Sequence, residues 1–231
     1  MARKVEINIL RAFVDTEGKH GNPTGIIIDV EQNLSTADRQ KIATKLHFTD
    51  TVFINNLETI NVSFFNPQQE TKFAGDAIIS TAYFIKHVLN KNISSIFCKA
   101  GTVSTWAEEE VEWIEANVWG TTCIWIHKQL KSAAEVNAIT LEEAAKFKHT
   151  MVWAWTDEKM GLIRSRTFLP DWGTLEDQGN GSGAMQLAKI LGRKIEIHQG
   201  IGSVIYSAPS TNNYAKVGGR VRVDPPRYTL I

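Results

Sequence analysis

Residues 175–192 read LEDQGNGSGAMQLAKILG and combine two halves of different chemistry. The first half holds acidic, amide and hydroxyl side chains among glycines, which allows a tight turn with bare backbone N–H groups. The second half has apolar residues at helical spacing and predicts a helix that stops at Gly192. A glycine-rich loop that opens a helix favours a bound carboxylate or phosphate, because unpaired amides and the positive end of the helix dipole meet there. Asp177 and Ser182, at the two ends of this loop, are candidates for moving protons.

The same order of features occurs earlier in the chain. Residues 61–65 predict an apolar strand stopped by Pro67, Phe73-Ala74-Gly75-Asp76 forms a small-residue turn, and residues 77–90 predict a buried helix. In the later copy, residues 166–170 take the place of the strand and its proline. This weak internal match favours two similar halves with a site between them. The alternative for the later copy is an ordinary loop whose polar residues only cap the helix.

Composition restricts the classes of function. The chain has 231 residues, enough for one large domain or two of ordinary size, and its 25 basic and 25 acidic residues give a net charge of zero. This balance argues against a nucleic-acid partner or an anionic membrane surface. No apolar run approaches the ~20 residues that a membrane helix needs, and the first ten residues predict a strand, not a leader. We therefore expect a cytoplasmic protein, in which Cys98 and Cys123 are reduced core residues in apolar strands.

Strands outnumber helices along the chain. Residues 5–14 and 26–28 predict two paired strands, separated by a polar turn over 15–25 that contains Gly21-Asn22-Pro23. A capping box at 35–38 opens a helix that runs to about Leu46. Asp50 begins the next strand, and by local sequence alone turn capping is a better explanation of it than catalysis. The mixture predicts the α+β class.

Neither metal nor nucleotide motifs are present. The six histidines have no metal-ligand spacing with one another or with cysteine, so no metal site is expected. No glycine-rich phosphate-binding fingerprint follows a strand. The seven tryptophans are scattered through strands, which is typical of core packing.

Six motifs in series resemble the PhzF-like family of phenazine-biosynthesis isomerases, within the diaminopimelate-epimerase-like fold. The motifs are Gly21-Asn22-Pro23, Thr49-Asp50-Thr51-Val52-Phe53, Phe73-Ala74-Gly75-Asp76, residues 176–183, residues 195–200 and Val217-Gly218-Gly219-Arg220. The resemblance implies two pseudo-symmetric α/β half-barrels, each around a central helix, with the active site in the cleft between them. Residues 1–107 with about 217–231 would form the first half-barrel, and residues 108–216 a second, shortened one. It also implies a homodimer and no cofactor.

The resemblance also assigns roles to single residues. Asp50 stands where the family usually has its acid/base glutamate, and Asp76 stands where the family has a histidine. The family motif Glu-Asp-Pro-Ala-Thr-Gly-Ser corresponds to residues 176–182, which keep Glu176, Asp177, Gly181 and Ser182 and lose the Pro, Ala and Thr. The predicted catalytic residues are Asp50, Asp76 and Asp177, and the predicted substrate-binding residues are Gly75, Gly181, Ser182 and Asn22.

The predicted function is a cofactor-independent isomerase that moves a proton on a small anionic, cyclic or amino-acid-like metabolite by carboxylate acid/base catalysis. Because Asp76 replaces a histidine, the substrate is expected to be less anionic than the family's or to carry a protonated amine. A non-catalytic small-molecule-binding protein is the second hypothesis. An epimerase with two acid/base groups across a stereocentre is the third.

Overall fold

A computed structural model describes residues 3–120 and 123–231, and in these residues strands outnumber helices. The strands are β1 (Lys4–Val14), β2 (His20–Ile28), β3 (Asp50–Asn56), β4 (Asn61–Phe65), β5 (Glu70–Thr71), β6 (Ser95–Cys98), β7 (Gly101–Glu108), β8 (Val111–Asn117), β9 (Ile126–Gln129), β10 (Thr150–Asp157), β11 (Leu162–Leu169), β12 (Thr174–Asp177), β13 (Ile195–Gln199), β14 (Ser203–Pro209) and β15 (Tyr214–Leu230). The α-helices are α1 (Thr36–Leu46), α2 (Gly75–Tyr83), α3 (Ala133–Ala138), α4 (Leu141–Ala144) and α5 (Gly181–Leu191). No helix in the described ranges is long and apolar enough to cross a membrane.

Helix α2 lies inside a closed ring of strands. The ring runs β1-β2-β3-β4-β6-β7-β8-β15 and closes because β15 pairs antiparallel with β1, from Lys4 opposite Leu230 to Val14 opposite Arg220. Every residue of α2 from Gly75 to Ala82 is buried. Its apolar side chains belong to one core cluster with residues of the surrounding strands, so burial inside the ring holds the helix in place.

Helix α5 packs on the second run of strands, β15-β14-β13-β11-β10-β9. In this run the successive pairings from β9 to β15 are parallel, antiparallel, parallel, antiparallel and antiparallel. The pairings β2-β3-β4-β6-β7-β8 follow the same order. The short strands β5 and β12 pair with β4 and β11 in the same sense, each shortly before a buried helix. The strand, proline, turn and helix pattern found twice in the sequence is therefore present twice in the fold.

Helix ends follow the local sequence. The predicted capping box of α1 is confirmed, since Ser35 and Asp38 exchange side-chain and backbone hydrogen bonds. Thr140 and Glu143 do the same at α4. At the far end of α5, Gly192 adopts a left-handed conformation with φ of 66°, which glycine allows without steric cost.

The predicted turn at Gly21-Asn22-Pro23 is wrong, because these residues lie inside β2. Asn22 is opposite Ala12 and Pro23 is opposite Arg11 in the antiparallel pair with β1. Proline is tolerated at residue 23 because β3 pairs with β2 only from Thr24 onward. No hydrogen bond between β2 and β3 therefore needs a backbone N–H at residue 23. The real turn is shorter and uses Asp15 to Lys19.

Two other local predictions need correction. The buried helix predicted over 77–90 is α-helical only to Tyr83 and continues as a π-helical turn over Phe84–Val88. Cys98 does end a strand, but Cys123 precedes β9 in irregular backbone. Both thiols are half-buried and unpaired, so neither cysteine is the fully buried core residue that its apolar neighbours indicated.

Candidate active site

The three predicted catalytic carboxyls line one cavity of about 390 Å³. Asp50 comes from the start of β3, Asp76 from the first turn of α2 and Asp177 from the end of β12. The other lining residues among those described include Thr49, Asn66, Glu70, Lys72, Phe73, Gly75, Cys123, Trp125, Leu169, Trp172, Asn180 and Ser182. The sequence therefore predicted correctly that these carboxyls lie together, although they are far apart along the chain.

The first residues of α2 and α5 touch each other at this cavity. A Cβ atom placed on Gly75 would lie 3.3 Å from the backbone nitrogen of Ser182, and one on Gly181 would lie 3.2 Å from the backbone nitrogen of Asp76. A Cβ atom at either position would require the two helix ends to move apart by a few tenths of an ångström, so glycine suits this approach. Both helices consequently direct their positive dipole ends to the same place, which favours negative charge on a bound group.

Asp76 has several donors near its buried carboxyl. The Nδ2 atom of Asn22 donates to Oδ2 of Asp76 at 2.8 Å. Burial raises the pKa of Asp76 to about 6, while the Asn22 amide and the backbone N–H groups of Asp76 and Ala77 oppose this rise. Asn22 itself does not appear among the residues lining the cavity in the described ranges, and it lies behind the carboxyl that it contacts.

Asp177 is held by the loop that follows it. The backbone N–H of Gly179 donates to its Oδ1 at 3.0 Å, and Nε2 of Gln199 donates to its backbone oxygen at 2.9 Å. Burial raises the pKa of Asp177 to about 7, and the nearby charge of Asp76 adds to the rise. The preceding Glu176 forms a bidentate pair with Arg166 at 2.7 and 2.8 Å, which fixes β12 on β11.

Asp50 is the least stabilised of the three as an anion. Burial, followed by the charges of Asp76 and Asp177, raises its pKa well above the ordinary value of 3.8. Three buried carboxyls that influence one another cannot all ionise cheaply. The raised pKa values of Asp76 and Asp177, about 6 and about 7, lie in the range in which acid/base groups work best near neutral pH.

The hydroxyl of Ser182 is engaged within the protein. It donates to Oδ1 of Asn180 at 3.1 Å and accepts a hydrogen bond from Nε1 of Trp125 at 2.8 Å. Asn180 also accepts from the backbone N–H of Gly183 and so caps α5. Ser182 therefore ties Trp125 to the beginning of the helix, and its backbone N–H is the group closest to Gly75.

Sequence reasoning missed an aromatic wall on one side of the cavity. Trp125 and Trp172 both line it, with ring centroids 5.6 Å apart, and the ring of His149 stacks on Trp172 at 5.9 Å. His149 is also 3.0 Å from Oδ2 of Asp171. The two tryptophans are 47 positions apart in the sequence, and their spacing carries no signal that would separate a cavity wall from core packing.

Cys123 is a further lining residue that the sequence placed in the core. Burial raises the pKa of its thiol to about 12, and the charge of Asp171 contributes. The thiol is consequently protonated at neutral pH and a weak nucleophile. The backbone oxygen of Cys123 accepts from Nε2 of the fully buried Gln186 at 2.6 Å, which holds this segment against α5.

Charges of both signs lie farther out on the lining. Lys72 is exposed, and Glu70 forms an ion pair with Lys99 at 3.0 Å. Across the described residues, no group of three or more histidine, cysteine or acidic side chains is arranged to hold a metal ion.

Comparison with known proteins agrees with the resemblance found in the sequence. Residues 10–122 match the sequence model of a family described as phenazine biosynthesis-like protein, PhzC-PhzF. This segment contains Asp50, Asp76 and the glycine before it.

Solved structures extend the likeness over nearly the whole chain. A PhzF-family protein from Enterococcus faecalis superposes with a TM-score of 0.78 at 18% identity, over 99% of this chain and 100% of the other. A PhzF-family protein from Bacillus anthracis gives 0.69 at 18%, over 99% and 100%. A hydroxyproline epimerase from Agrobacterium vitis, with bound trans-4-hydroxy-L-proline, gives 0.62 at 11%, over 99% and 93%. The resemblance to the PhzF-like family is therefore confirmed, by sequence over residues 10–122 and by the fold over almost all of the chain.

Proposed function

We propose that this protein is an isomerase or epimerase-type enzyme that moves a proton on a small metabolite by carboxylate acid/base catalysis. The observation that carries the proposal is the meeting of Asp50, Asp76 and Asp177 in one cavity, where two helices begin. Burial raises the pKa of all three carboxyls, so that protonated and ionised forms coexist near neutral pH. The match to the PhzC-PhzF family supports the same class of reaction.

The chemistry requires a base, an acid and a place for negative charge. One carboxylate takes a proton from a carbon atom of the substrate, and a carboxylic acid returns a proton to the same or another carbon. Positioned acid/base groups of this kind contribute on the order of 10²–10⁴-fold. The backbone N–H groups at the start of α2 and α5 would stabilise the charge that develops on a substrate oxygen between the two steps.

The substrate is a small polar molecule with at least one apolar or ring-like face. A cavity of about 390 Å³ suits a metabolite of modest size. Carboxyls at its inner end favour an amine or hydroxyl group there, and Trp125 and Trp172 offer flat apolar surfaces on one side. The Agrobacterium vitis neighbour binds a cyclic amino acid, which supports an amino-acid-like or cyclic substrate for this chain.

The proposal includes the finer architecture. The repeated order of strand pairings supports two pseudo-symmetric half-barrels, around α2 and α5, with the cavity between them. We assign residues 1–107 with about 217–231 to the first and 108–216 to the second. Catalysis without a cofactor, a homodimer and a cytoplasmic location complete the proposal.

Solvent exchange tests the function directly. Purified protein is incubated in D2O with a panel of cyclic amino acids and small unsaturated ring acids, and incorporation of deuterium at carbon is measured by mass spectrometry. The expected result is incorporation into at least one compound, reduced by two orders of magnitude or more in Asp50→Asn. As a control, Asp157→Asn changes an exposed residue at the end of β10, outside the cavity, and should keep full activity.

The outcomes separate the hypotheses. Exchange with inversion at a stereocentre would identify an epimerase, and exchange with a shifted double bond would identify an isomerase. Saturable binding of a panel compound without exchange, unchanged by Asp50→Asn, would contradict the enzymatic proposal and identify a binding protein.

A further inference from the structure

The three carboxyls of the cavity differ in the number of donors around them. Asp76 accepts from Nδ2 of Asn22 at 2.8 Å and lies in the first turn of α2, where the helix dipole favours a negative charge. Asp177 accepts from one backbone N–H, that of Gly179. For Asp50, no donor to the carboxyl occurs among the residues that the structure describes. A carboxyl ionises most easily where donors stabilise the charged form, so the three positions are not equivalent.

We infer that Asp76 is the ionised carboxylate of the resting site and takes the first proton from the substrate, while Asp50 begins as the proton donor. We further infer that Asn22 is the positioning residue that fixes this order. The inference rests on the proposed function and reverses the roles that the resemblance implies, where Asp50 would take the proton first. It also gives Asn22 a role other than the substrate binding predicted from the sequence.

Asn22 is buried and packs closely against the loop that follows Asp177. Its side chain is 2% exposed, and a Cβ atom on Gly179 would lie 3.1 Å from the Cβ of Asn22. Its Nδ2 also lies 3.5 Å from the backbone oxygen of Gly179, and its Oδ1 accepts from Oγ1 of Thr49 at 3.5 Å. Asn22 thus contacts the three segments that carry the three carboxyls, namely the residue before Asp50, Asp76 itself and the loop after Asp177.

The charged groups on the cavity lining do not take over the role of the Asn22 amide as a donor to Asp76. The ionisable groups that line the cavity with Asp76 include Asp50 from β3, Asp177 from β12 and the Cys123 thiol, and an anion at either aspartate would oppose ionisation of Asp76. Lys72 and Glu70 line the same cavity with opposite charges. The Asn22 amide and the α2 dipole therefore favour the anion at Asp76 against the effect of its two acidic neighbours.

The proton balance closes over one turnover. The Asp76 carboxylate accepts the proton released when the substrate C–H bond breaks, and the electron pair stays on the substrate. The carboxylic acid of Asp50 then gives its proton to the carbon where the new C–H bond forms, leaving Asp50 ionised. Transfer of the proton from Asp76 to Asp50, through solvent or Asp177, restores the resting state without any further reactant.

The test is a carboxyl titration of the protein without substrate. Aspartate is labelled with ¹³C at Cγ, and the three signals are assigned from Asp50→Asn, Asp76→Asn and Asp177→Asn. Midpoints are compared in the wild type, in Asn22→Leu, which removes the amide at similar size, and in Asn22→Ser, which keeps a donor. In the wild type we expect Asp76 to titrate lowest of the three. In Asn22→Leu its midpoint should rise by roughly one pH unit or more, since a hydrogen bond to a charged group changes the protonation equilibrium about tenfold or more, and Asn22→Ser should give a smaller rise.

A wild-type protein in which Asp50 titrates below Asp76 would overturn the inference, as would an Asp76 midpoint that is the same in all three proteins. If Asn22→Leu does not fold, the wild-type order and the Asn22→Ser shift decide the outcome. Because the titration needs no substrate, it is independent of whether the protein has isomerase activity. If the protein catalyses deuterium exchange but Asp50 titrates below Asp76, the assignment of roles to these two residues is refuted and the proposed function still holds.

Discussion

Replacing Asp177 by asparagine should make the protein more stable at alkaline pH, although the residue is part of the candidate site. In the folded protein its pKa is raised to about 7, mainly by burial, from 3.8. Below about pH 3 the carboxyl is protonated in both folded and unfolded states, so it has little effect on stability. As pH rises toward 7 the unfolded chain releases this proton and the folded chain retains it, which lowers the free energy of unfolding.

The size of the effect follows from the difference in pKa. A gap of about 3 units at about 1.4 kcal/mol per unit gives about 4 kcal/mol at pH 8. The asparagine side-chain oxygen can still accept from the N–H of Gly179, so little packing or hydrogen bonding is lost. We therefore expect Asp177→Asn to raise the free energy of unfolding by about 2–4 kcal/mol at pH 8 and by much less at pH 4.5.

Urea unfolding followed by tryptophan fluorescence at the two pH values measures this difference. Asp157→Asn, at the exposed end of β10, is the matched control and should change stability little and equally at both pH values. The reasoning would be refuted if Asp177→Asn were less stable than the wild type at pH 8, or if its free energy of unfolding changed by the same amount at both pH values. Either result would show that burying the ionised Asp177 carboxylate does not destabilise the fold.

Of three further predictions, two concern residues that line the cavity and one concerns a buried ion pair outside its lining. Gly75→Ala should lower solvent-exchange activity at least tenfold and destabilise the fold by about 1–3 kcal/mol, because its Cβ would force apart two helix ends already in contact. Deuterium incorporation measures the loss of activity, and urea unfolding measures the loss of stability. Full activity in this variant would contradict the close approach of the two helices. Trp125→Phe should raise KM about fivefold with a smaller change in kcat, since it removes a hydrogen bond of about 1 kcal/mol to Ser182 but leaves an aromatic ring at residue 125. An unchanged KM would show that this hydrogen bond does not contribute to substrate binding. Lys86→Met should lower the free energy of unfolding by about 3–5 kcal/mol, because it leaves the 2% exposed Glu112 without its cation. Adding Glu112→Leu to this variant should restore most of the lost stability, as measured by urea unfolding. If stability does not recover, the broken ion pair is not the cause of the loss.

Local sequence signals predicted the elements that depend on neighbouring residues. The capping box at 35–38 marked a helix start correctly, since the hydrogen bonds involved join residues three positions apart. The glycine-rich loop before α5 and the turn before α2 were also visible. The acid in each of these loops made Asp76 and Asp177 candidates, the resemblance to the PhzF-like family added Asp50, and all three line one cavity.

Features that depend on distant parts of the chain were not predictable in the same way. Asn22 looked like a turn residue because glycine and proline flank it, yet pairing with β1 draws all three residues into β2. Trp125 and Trp172 meet only because the segment near 123–125 is held against α5 by Gln186. Periodicity describes which side of an element is apolar, and it does not say which two elements face each other across a cavity.

A crystal structure with a bound metabolite, chosen from the compounds that undergo solvent exchange, tests the central claim most directly. The account predicts density in the cavity between Gly75 and Ser182, with the exchanging carbon within hydrogen-bonding reach of two of the three carboxyls and a substrate oxygen facing the two helix starts. A metabolite bound elsewhere on a protein that still catalyses exchange would contradict the account.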